Sequence, residues 1–468
     1  MNKTKKGYSV LKAISWYAVG NVFVKSISFF VLPLFSNLMS TADYGVYTIF
    51  TSNAALIDSI IIFGLAPTIR MAKYDNDTDY ELYTSTIVVI PILLVLLLAL
   101  VSNVYMLFNP VLMSLNRTVW NWMLFYCATN VICIILSNRF VLDGRYKAYF
   151  IYLLINTLIA IGSFLLLAKF VFLENTYMAR IVGQSAGNFL SILFFVCTIG
   201  YKGISPGYLK KGVVWGAPLV IHSFMISLFG QMDTQLINVF SEFSELGVYG
   251  MATTLGLVPA TLEATFESAW SPWFFNKMNV GDTEKIRETN NTYFTIFAVI
   301  LGEFMLILPE LVRFLNRSYW DCVFYLLPIT INSFIELIYL VPLNIQYYYK
   351  NTKNIMFATV IATLLDALMV VLFIQLYGFY GAVYAKTISK IALVAIHDYS
   401  AKKLDQNNYF SSKLFVLLLL ILFAIDAIVV LFTDFAALRL FLFAAIGIVA
   451  LTFTIRKRKE LLQMFNGG

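Results

Sequence analysis

Long apolar stretches, separated by short polar gaps, follow one another along the whole chain. Each stretch has roughly 20 or more mostly apolar residues, which is the length a helix needs to cross a bilayer. The pattern predicts about fourteen spanning helices, at residues 14–38, 43–66, 83–108, 119–141, 148–172, 177–199, 213–240, 247–270, 291–312, 322–345, 355–376, 379–398, 413–432 and 437–455. No polar stretch is long enough to form a soluble domain, so the predicted fold class is an all-α polytopic membrane protein.

Composition and charge support this prediction. Hydrophobic residues make up 60% of the 468 residues and charged residues only 13%, as in proteins that fold in lipid. Most of the 33 Lys and Arg residues lie at the two ends of the chain or in every second gap between apolar stretches. The positive-inside rule then places both termini and those gaps in the cytoplasm. The net charge of +7 therefore indicates membrane topology, and no nucleic-acid partner is expected.

One short segment is repeated at the start of two predicted spans. Asp43-Tyr44-Gly45-Val46-Tyr47 opens the second span, and Glu245-Leu246-Gly247-Val248-Tyr249 opens the eighth. Six spans separate the copies, and an even number returns the chain to the same side of the membrane, so the two halves are predicted to be parallel repeats. We therefore divide the chain into an N-terminal lobe, a cytoplasmic connector, a C-terminal lobe, and an appended helix pair with a basic tail. Their boundaries are 1–199, 200–212, 213–405 and 406–468.

Further short motifs with glycine, proline and aromatic residues lie at the ends of the predicted helices. With the repeat, they comprise Gly20 to Lys25, Leu32-Pro33-Leu34, Leu38 to Tyr47, Gly64-Leu65-Ala66-Pro67 before Arg70, Gly216-Ala217-Pro218 with Asp233 later in the same helix, Gly247-Val248-Tyr249, and Tyr377 to Ala382. In this combination, and over nearly its whole length, the chain resembles the polysaccharide-transporter branch (Wzx-type flippases) of the multidrug/oligosaccharidyl-lipid/polysaccharide (MOP) exporter superfamily.

The resemblance implies a flippase rather than an enzyme. Its substrate would be an undecaprenyl-diphosphate-linked oligosaccharide repeat unit. The lobes would move it by alternating access from the inner to the outer leaflet of the bacterial cytoplasmic membrane, for O-antigen, capsule or exopolysaccharide synthesis. Membrane lipids, a polysaccharide polymerase and chain-length proteins are the further partners that it implies. No cofactor is expected beyond a coupling H⁺ or Na⁺.

Two other functions fit parts of the sequence. A cation-coupled multidrug exporter of the same superfamily would share the two-lobed plan, but the appended helix pair and Lys25 in the first span favour a lipid-linked anionic substrate. A membrane polysaccharide polymerase needs a catalytic site. The sequence has only two histidines, His222 and His397, and lacks a long outer gap, a nucleotide-binding loop, a metal-ligand cluster and a Ser/His/Asp spacing. No metal site is predicted.

Charged residues inside predicted spans are candidate functional residues, because burying a charge in a bilayer is costly. Asn21 and Lys25 share one face of the first helix, where an ammonium group suits a lipid diphosphate, although Lys25 can instead pair with Asp58. Arg180 and Gln184 share a face of the sixth helix, which suits sugar hydroxyl groups or hydrogen bonds between helices.

Two further pairs of cationic residues are candidate substrate contacts. Lys386 and Lys390 stand one turn apart in the twelfth helix, where they can contact the lipid diphosphate or, alternatively, pair with Asp366. Nearer the predicted cytoplasmic ends of their helices, Arg70 and Arg139 are the expected contacts for substrate entry.

Five residues are candidates for coupling transport to an ion, namely Asp58, His222, Asp233, Glu263 and Glu267. His222 and Asp233 lie about three helical turns apart on one face and can relay a proton. The alternatives are that His222 hydrogen-bonds a neighbouring helix and that Asp233 anchors the outer helix end. Glu263 and Glu267 stand at i and i+4, where two ionised carboxylates repel, so one is expected to be protonated. They can bind Na⁺ or H⁺, balance the cation of the first helix, or lie in the cytoplasmic interface.

Overall fold

The computed structural model describes residues 23–24, 27, 29–198 and 202–456. For residues 146, 218, 222, 268, 269, 352, 449–451 and 453–456 it describes the backbone but not the side chain. Two predicted substrate contacts, Asn21 and Lys25, therefore lie outside the described residues, and so does the side chain of His222.

Helices make up nearly all of the described chain. They are α1 (Leu32–Leu38), α2 (Thr41–Ile61), α3 (Leu65–Tyr74), α4 (Tyr80–Ile87), α5 (Val89–Tyr105), α6 (Arg117–Leu142), α7 (Tyr146–Phe170), α8 (Thr176–Thr198), α9 (Pro206–Phe240), α10 (Phe243–Leu255), α11 (Leu257–Val280), α12 (Thr283–Val312), α13 (Cys322–Tyr348), α14 (Thr352–Tyr377), α15 (Phe379–Leu404), α16 (Ser412–Leu431) and α17 (Ala436–Arg456). A small antiparallel hairpin, β1 (Val111–Leu112) and β2 (Leu115–Asn116), joins α5 to α6, and a 3₁₀ turn covers Arg317–Tyr319.

The predicted class of an all-α polytopic membrane protein is confirmed. Within the described residues, ten helical segments are long and apolar enough to cross a membrane, and α9 is an eleventh if its two halves, bent by 47°, count as one span. The predicted spans outside this set are 14–38, 247–270 and 437–455. The first lies partly outside the described residues, the second is divided between α10 and α11, and the third contains an apolar helix shorter than a full span. The count of fourteen stays a prediction.

Local sequence explains where α2 begins and where it ends. Ser40 precedes the helix, and its side chain accepts a hydrogen bond from the backbone N–H of Asp43 at 3.1 Å. The carboxylate of Asp43 also lies in the first turn, where it favours the positive end of the helix dipole. After α2, Phe63 and Gly64 both adopt positive φ values of 52° and 65°, which interrupt the helix before α3.

The chain divides into two compact units, Met1–Gly247 and Val248–Gly468. This division places α9 in the first unit, whereas the sequence assigned residues from 213 onward to the C-terminal lobe. These two units do not test the four parts predicted from the sequence, which stay a prediction.

Helix α9 belongs to the first unit because it packs along α2 through polar contacts. The amide nitrogen of Gln235 donates to the Ser52 hydroxyl at 2.9 Å and to the Asn53 side-chain oxygen at 2.8 Å. About two turns earlier in α9, the Ser227 hydroxyl donates to the Ala55 carbonyl at 3.0 Å. Hydrogen bonds of this kind hold helices together in lipid, where apolar surfaces alone provide little driving force.

Helices α7 and α8 approach each other closely at two glycines of α8. A Cβ at Gly183 would clash with the backbone of Ala160 and Phe164, and one at Gly187 would clash with the Asn156 carbonyl. The Asn156 side chain also donates to the Gly187 carbonyl at 3.0 Å. The spacing of four residues between the glycines is the small-residue pattern of tightly packed membrane helices, and it fixes the face that α8 presents to the rest of the unit.

In the second unit, the appended helices α16 and α17 pack against α12. Arg439 of α17 is fully buried, with one guanidinium nitrogen 2.7 Å from the Glu310 carboxylate and another donating to the Leu306 carbonyl at 3.3 Å. Charge-assisted bonds of this geometry are among the stronger polar contacts in proteins. They tie α17 to α12 at a fixed register.

Candidate functional site

An arginine in the first unit lies among aromatic rings. The guanidinium carbon of Arg180, on α8, is 4.0 Å from the ring centroid of Phe35, 5.3 Å from that of Tyr47 and 5.7 Å from that of Phe164. Its Nε atom is buried and has no hydrogen-bond partner among the residues that the structure describes. Among residues 29–198 and 202–456, no carboxylate forms an ion pair with it. Arg180 is thus a cation held by ring faces, with no counter-charge in the described structure.

Gln184, one turn further along α8, joins three helices of the first unit. The Tyr47 hydroxyl of α2 donates to its side-chain oxygen at 2.6 Å, and its amide nitrogen donates to the Tyr126 hydroxyl of α6 at 3.3 Å. Of the two roles that the sequence left open for this face, hydrogen bonding between helices is the one that Gln184 performs here. The Tyr47 ring that it holds is one of those around Arg180.

Asp58 of α2 is buried in the first unit. One carboxylate oxygen accepts a hydrogen bond from Asn130 of α6 at 2.6 Å, while the other is buried without a hydrogen-bond partner in the described structure. The pairing with Lys25 that the sequence offered stays a prediction, because Lys25 lies outside the described residues. Asp58 is therefore a buried acid with one free acceptor position, a suitable place for a proton.

Asp233 of α9 is the other candidate ion-coupling acid of the first unit, and it is buried near α2. Its side-chain oxygen accepts a hydrogen bond from the backbone N–H of Thr234 at 3.0 Å. The predicted relay from His222 to Asp233 stays a prediction, since the side chain of His222 is outside the description.

Arg139 of α6, a predicted entry residue, lies inside an ion-pair network. Its guanidinium group contacts Glu81 at 2.5 Å and Asp143 at 3.4 Å, donates to the Thr84 hydroxyl at 3.1 Å, and stacks 4.0 Å from the ring centroid of Tyr80. Arg139 is buried, and these partners account for its charge. Entry of a substrate past Arg139 would therefore require part of this network to open.

Arg70 of α3, the other predicted entry residue, is exposed. Within the described chain it forms no ion pair and no hydrogen bond through its side chain. Nearby, Lys211 of α9 contacts the Asp75 carboxylate at 2.5 Å. Hydrogen bonds from Lys211 and Thr78 lower the pKa of Asp75 below its ordinary value of 3.8.

Both lysines predicted as a cationic stripe in the second unit have carboxylate partners. The ammonium group of Lys386 lies 2.8 Å from Asp366 of α14, and both side chains are buried, with 6% and 0% of their surface exposed. The ammonium group of Lys390 lies 2.6 Å from Glu336 of α13. The partner Asp366 was one of the two alternatives that the sequence left open. The sequence did not single out Glu336 as a partner, because only the packing of α13 on α15 brings it to Lys390.

Glu263 and Glu267 lie one turn apart on α11, which packs against α13. Glu263 is buried, with 9% of its surface exposed, and in the described chain it has no hydrogen-bond partner. Among the described residues, no group of three His, Cys, Asp or Glu side chains could hold a metal ion.

Comparisons with known proteins agree with the motifs of the sequence. A family model described as polysaccharide biosynthesis protein matches residues 10–278, more than half of the 468 residues. An uncharacterized membrane protein of Haemophilus influenzae is 21% identical over 436 residues, which are 86% of this chain and 99% of that protein. The Lsg locus putative protein 1 of the same organism is 27% identical over 159 residues, which are 32% of this chain and 38% of that protein.

Solved structures share the fold at low sequence identity. The lipid II flippase MurJ, in an inward closed conformation, superposes with a TM-score of 0.71 at 14% identity, covering 96% of this chain and 100% of that chain. The MATE transporter VcmN of Vibrio cholerae superposes with a TM-score of 0.51 at 12% identity, covering 86% of this chain and 98% of that chain. Because the family model matches more than half of the chain, the chain belongs to the polysaccharide biosynthesis protein family.

Proposed function

We propose that the protein is a flippase that moves an undecaprenyl-diphosphate-linked oligosaccharide across the bacterial cytoplasmic membrane. It works from the inner to the outer leaflet by alternating access and serves the synthesis of a surface polysaccharide such as O-antigen, capsule or exopolysaccharide. The membership of the family supports transport of a polysaccharide precursor. The observation that carries the proposal is Arg180, a cation among spanning helices with no carboxylate partner in the described chain.

A half-buried cation without a carboxylate partner in the described chain favours an anionic ligand. A charged side chain at the centre of a spanning helix costs about 2.5–3.5 kcal/mol on insertion scales, and the cost for Arg180, the fifth residue of α8, is smaller. The ring faces of Phe35, Tyr47 and Phe164 offset part of this cost, since a desolvated cation–π contact contributes about 2 kcal/mol. A diphosphate group offsets the remainder, because the planar guanidinium fork can donate two parallel hydrogen bonds to phosphate oxygens. An organic cation, the substrate class of a drug exporter, would be repelled at the same place.

The neighbours of Arg180 keep its guanidinium group in position. Gln184 accepts the hydrogen bond of Tyr47 and thereby fixes the ring on one side of Arg180. The glycines that pack α8 closely on α7 fix the helix itself. We propose that Asn21 and Lys25 of the first helix add further contacts to the same headgroup, as the sequence indicates.

The lysines of the second unit have a more restricted part in this proposal. Lys386 and Lys390 are already paired with Asp366 and Glu336, so either can contact the diphosphate only when its carboxylate releases it. Transport is proposed to be coupled to H⁺ or Na⁺, with Asp58 and Asp233 as candidate carriers in the first unit. Membrane lipids, a polysaccharide polymerase and chain-length proteins are the proposed partners.

The test is leaflet exchange in liposomes that contain the purified full chain. An undecaprenyl-diphosphate-linked oligosaccharide is supplied, and its appearance in the outer leaflet is measured for the wild type and for Arg180→Ala. Loss of two charge-assisted hydrogen bonds, about 1.5–3 kcal/mol, should slow exchange at least tenfold. Arg317→Ala is the matched control, because Arg317 is also an arginine near an aromatic ring, 5.7 Å from the Trp320 centroid, but is exposed.

Two results would count against the proposal. Exchange by Arg180→Ala at the rate of the control would show that Arg180 does not contact the headgroup. Absence of exchange for several lipid-linked oligosaccharides, together with export of organic cations, would identify a multidrug exporter instead.

A further inference from the structure

The two copies of the repeated segment meet at their glycines. A Cβ atom on Gly45 of α2 would overlap the carbonyl oxygen of Phe243, and one on Gly247 of α10 would overlap the carbonyl oxygen of Thr41. Phe243 comes four residues before Gly247, and Thr41 comes four residues before Gly45. Each glycine thus faces the same backbone position of the other copy. We call these four residues, all of which belong to the first unit, the glycine crossing.

Close approach of two backbones explains why the crossing contains glycine. Neither Gly45 nor Gly247 has a positive φ, so backbone conformation alone does not require glycine at either position. A Cβ atom on Gly247 would also lie 2.9 Å from the backbone nitrogen of Gly45. Any side chain at either position would therefore force the two helices apart. Contacts between the Cα hydrogens of glycine and carbonyl oxygens are individually weak, and breaking them leaves no buried charge behind.

The glycine crossing is buried. Both glycines are shielded from solvent, and so are Tyr44 and Leu246, which precede them in the two copies. The topology predicted from the basic residues places the starts of α2 and α10 at the outer surface of the membrane. With backbone against backbone, these two helix starts leave no passage between them in this structure.

Helix α2 joins the crossing to the surroundings of Arg180. Two residues after Gly45, the ring of Tyr47 lies 5.3 Å from the guanidinium carbon of Arg180. Two residues before Gly45, the carboxylate of Asp43 accepts a hydrogen bond from the Thr176 hydroxyl at 2.6 Å. Thr176 begins α8, and Arg180 follows one turn later on the same helix. On both sides of its glycine, α2 is thus attached to the helix that carries the proposed headgroup contact.

We propose that the glycine crossing is a gate at the outer end of the proposed transport path, closed in this structure, and that it opens when the headgroup leaves Arg180 for the outer leaflet. Helix α2 links the two events, because it carries both Gly45 and Tyr47. The repeat then has a mechanical role, since two equivalent glycines give a contact that is tight enough to close and weak enough to break. This gate rests on the proposed flippase function.

The test measures the distance across the crossing by double electron–electron resonance. Spin labels are attached to Ala42→Cys and Glu242→Cys, two exposed positions that each adjoin a residue of the crossing. Cys197→Ser removes the exposed native cysteine, and the other three cysteines are buried. The full chain in lipid nanodiscs should give a single distance. Adding an undecaprenyl-diphosphate-linked oligosaccharide should produce a second, longer distance.

Substitution of the glycines should open the crossing without any substrate. Gly45→Ala and Gly247→Ala should each produce the longer distance, because the added methyl group has no room beside the facing carbonyl. Gly230→Ala is the matched control, since Gly230 is a helical glycine whose Cβ would meet nothing within 4 Å, and it should leave the single distance unchanged. Gly183→Ala also creates a clash, with the Ala160 carbonyl of α7, but should not produce the longer distance. It separates opening of this crossing from general loosening of the fold.

Three results would overturn the gate. They are an unchanged single distance in both Gly45→Ala and Gly247→Ala, the longer distance in Gly183→Ala as well, and a single distance in the labelled wild type while it exchanges the lipid-linked oligosaccharide. The last result needs no glycine variant, so it decides the question even if the alanine variants fail to fold. Exchange without the longer distance would refute the gate alone, whereas the longer distance in Gly45→Ala without exchange by the wild type would count against the flippase function.

Discussion

The surroundings of Arg180 in the first unit differ from those of Lys386 and Lys390 in the second. In the first unit, Arg180 is surrounded by aromatic rings and has no carboxylate partner in the described chain. In the second unit, Lys386 and Lys390 each have a carboxylate within 2.8 Å. Rings stabilise a cation without neutralising it, whereas a carboxylate neutralises it. A cation of the first kind is free to take an anionic ligand, and one of the second kind is already engaged.

Removing one partner of the buried lysine–aspartate pair is expected to have the largest effect. Lys386→Met removes the ammonium partner of the fully buried Asp366 and should lower the free energy of unfolding by about 3–5 kcal/mol. The double variant Lys386→Met/Asp366→Leu should recover most of that loss, because it also removes the buried charge. Unfolding of the detergent-solubilised chain by a denaturing detergent gives the measurement. A single variant as stable as the wild type would mean that the pair is open in solution.

The corresponding substitution at Arg180 should affect transport more than stability. Arg180→Met should leave the free energy of unfolding within about 1 kcal/mol of the wild type, because the lost cation–π contacts and the relieved burial cost are of similar size. Exchange of the lipid-linked oligosaccharide should nevertheless fall at least tenfold. Both are measured on the same preparation as Lys386→Met. Destabilisation of Arg180→Met by several kcal/mol would show that Arg180 has a structural partner.

A smaller effect is expected when only the support of Arg180 is weakened. Tyr47→Phe keeps the ring beside Arg180 but removes the hydrogen bond to Gln184, which is worth about 0.5–1.5 kcal/mol. Exchange should fall by roughly twofold to tenfold. Tyr126→Phe is the control, because it removes the longer bond to the same Gln184 side chain, at 3.3 Å, from a ring that does not contact Arg180. An equal loss in both variants would assign the effect to Gln184 rather than to Tyr47.

The smallest effect concerns the partly exposed pair of Lys211 and Asp75 in the first unit. Lys211 and Thr78 lower the pKa of Asp75, so the carboxylate stabilises this contact above the ordinary value of 3.8 and loses the contribution as pH falls through its lowered pKa. Hydrogen exchange at residues 202–212 should therefore rise only in strongly acidic solution. Lys211→Met should show the faster exchange at neutral pH already. Equal protection in this variant and the wild type would mean that the pair does not hold the connector.

The sequence predicted the class of fold because apolar length alone decides whether a helix can cross a bilayer. It also predicted the family, since motifs such as Gly216-Ala217-Pro218 reflect local backbone requirements that can be recognised without a structure. Its prediction of Arg180 and Gln184 as one helical face follows from helical periodicity, and both side chains do face the interior of the first unit. What periodicity leaves undecided is the partner that each face meets.

The interaction partners of these residues could be identified only from the way the helices pack. Lys390 and Glu336 are 54 residues apart in the chain, and nothing in their local sequence relates them. The same holds for Tyr47 and Gln184, which are 137 residues apart. A charge in lipid must find a partner, a ring or a ligand, so the sequence shows that each such residue matters without showing which of the three it finds.

From the sequence alone one can predict that the protein is a polytopic α-helical membrane protein, which family it belongs to, and which residues place a charge among its spans. The reason is that lipid imposes constraints on length and polarity that each helix must satisfy alone. The tertiary structure decided that Arg180 is unpaired in the described chain while Lys386 and Lys390 are neutralised, because pairing depends on how helices distant in sequence are placed side by side.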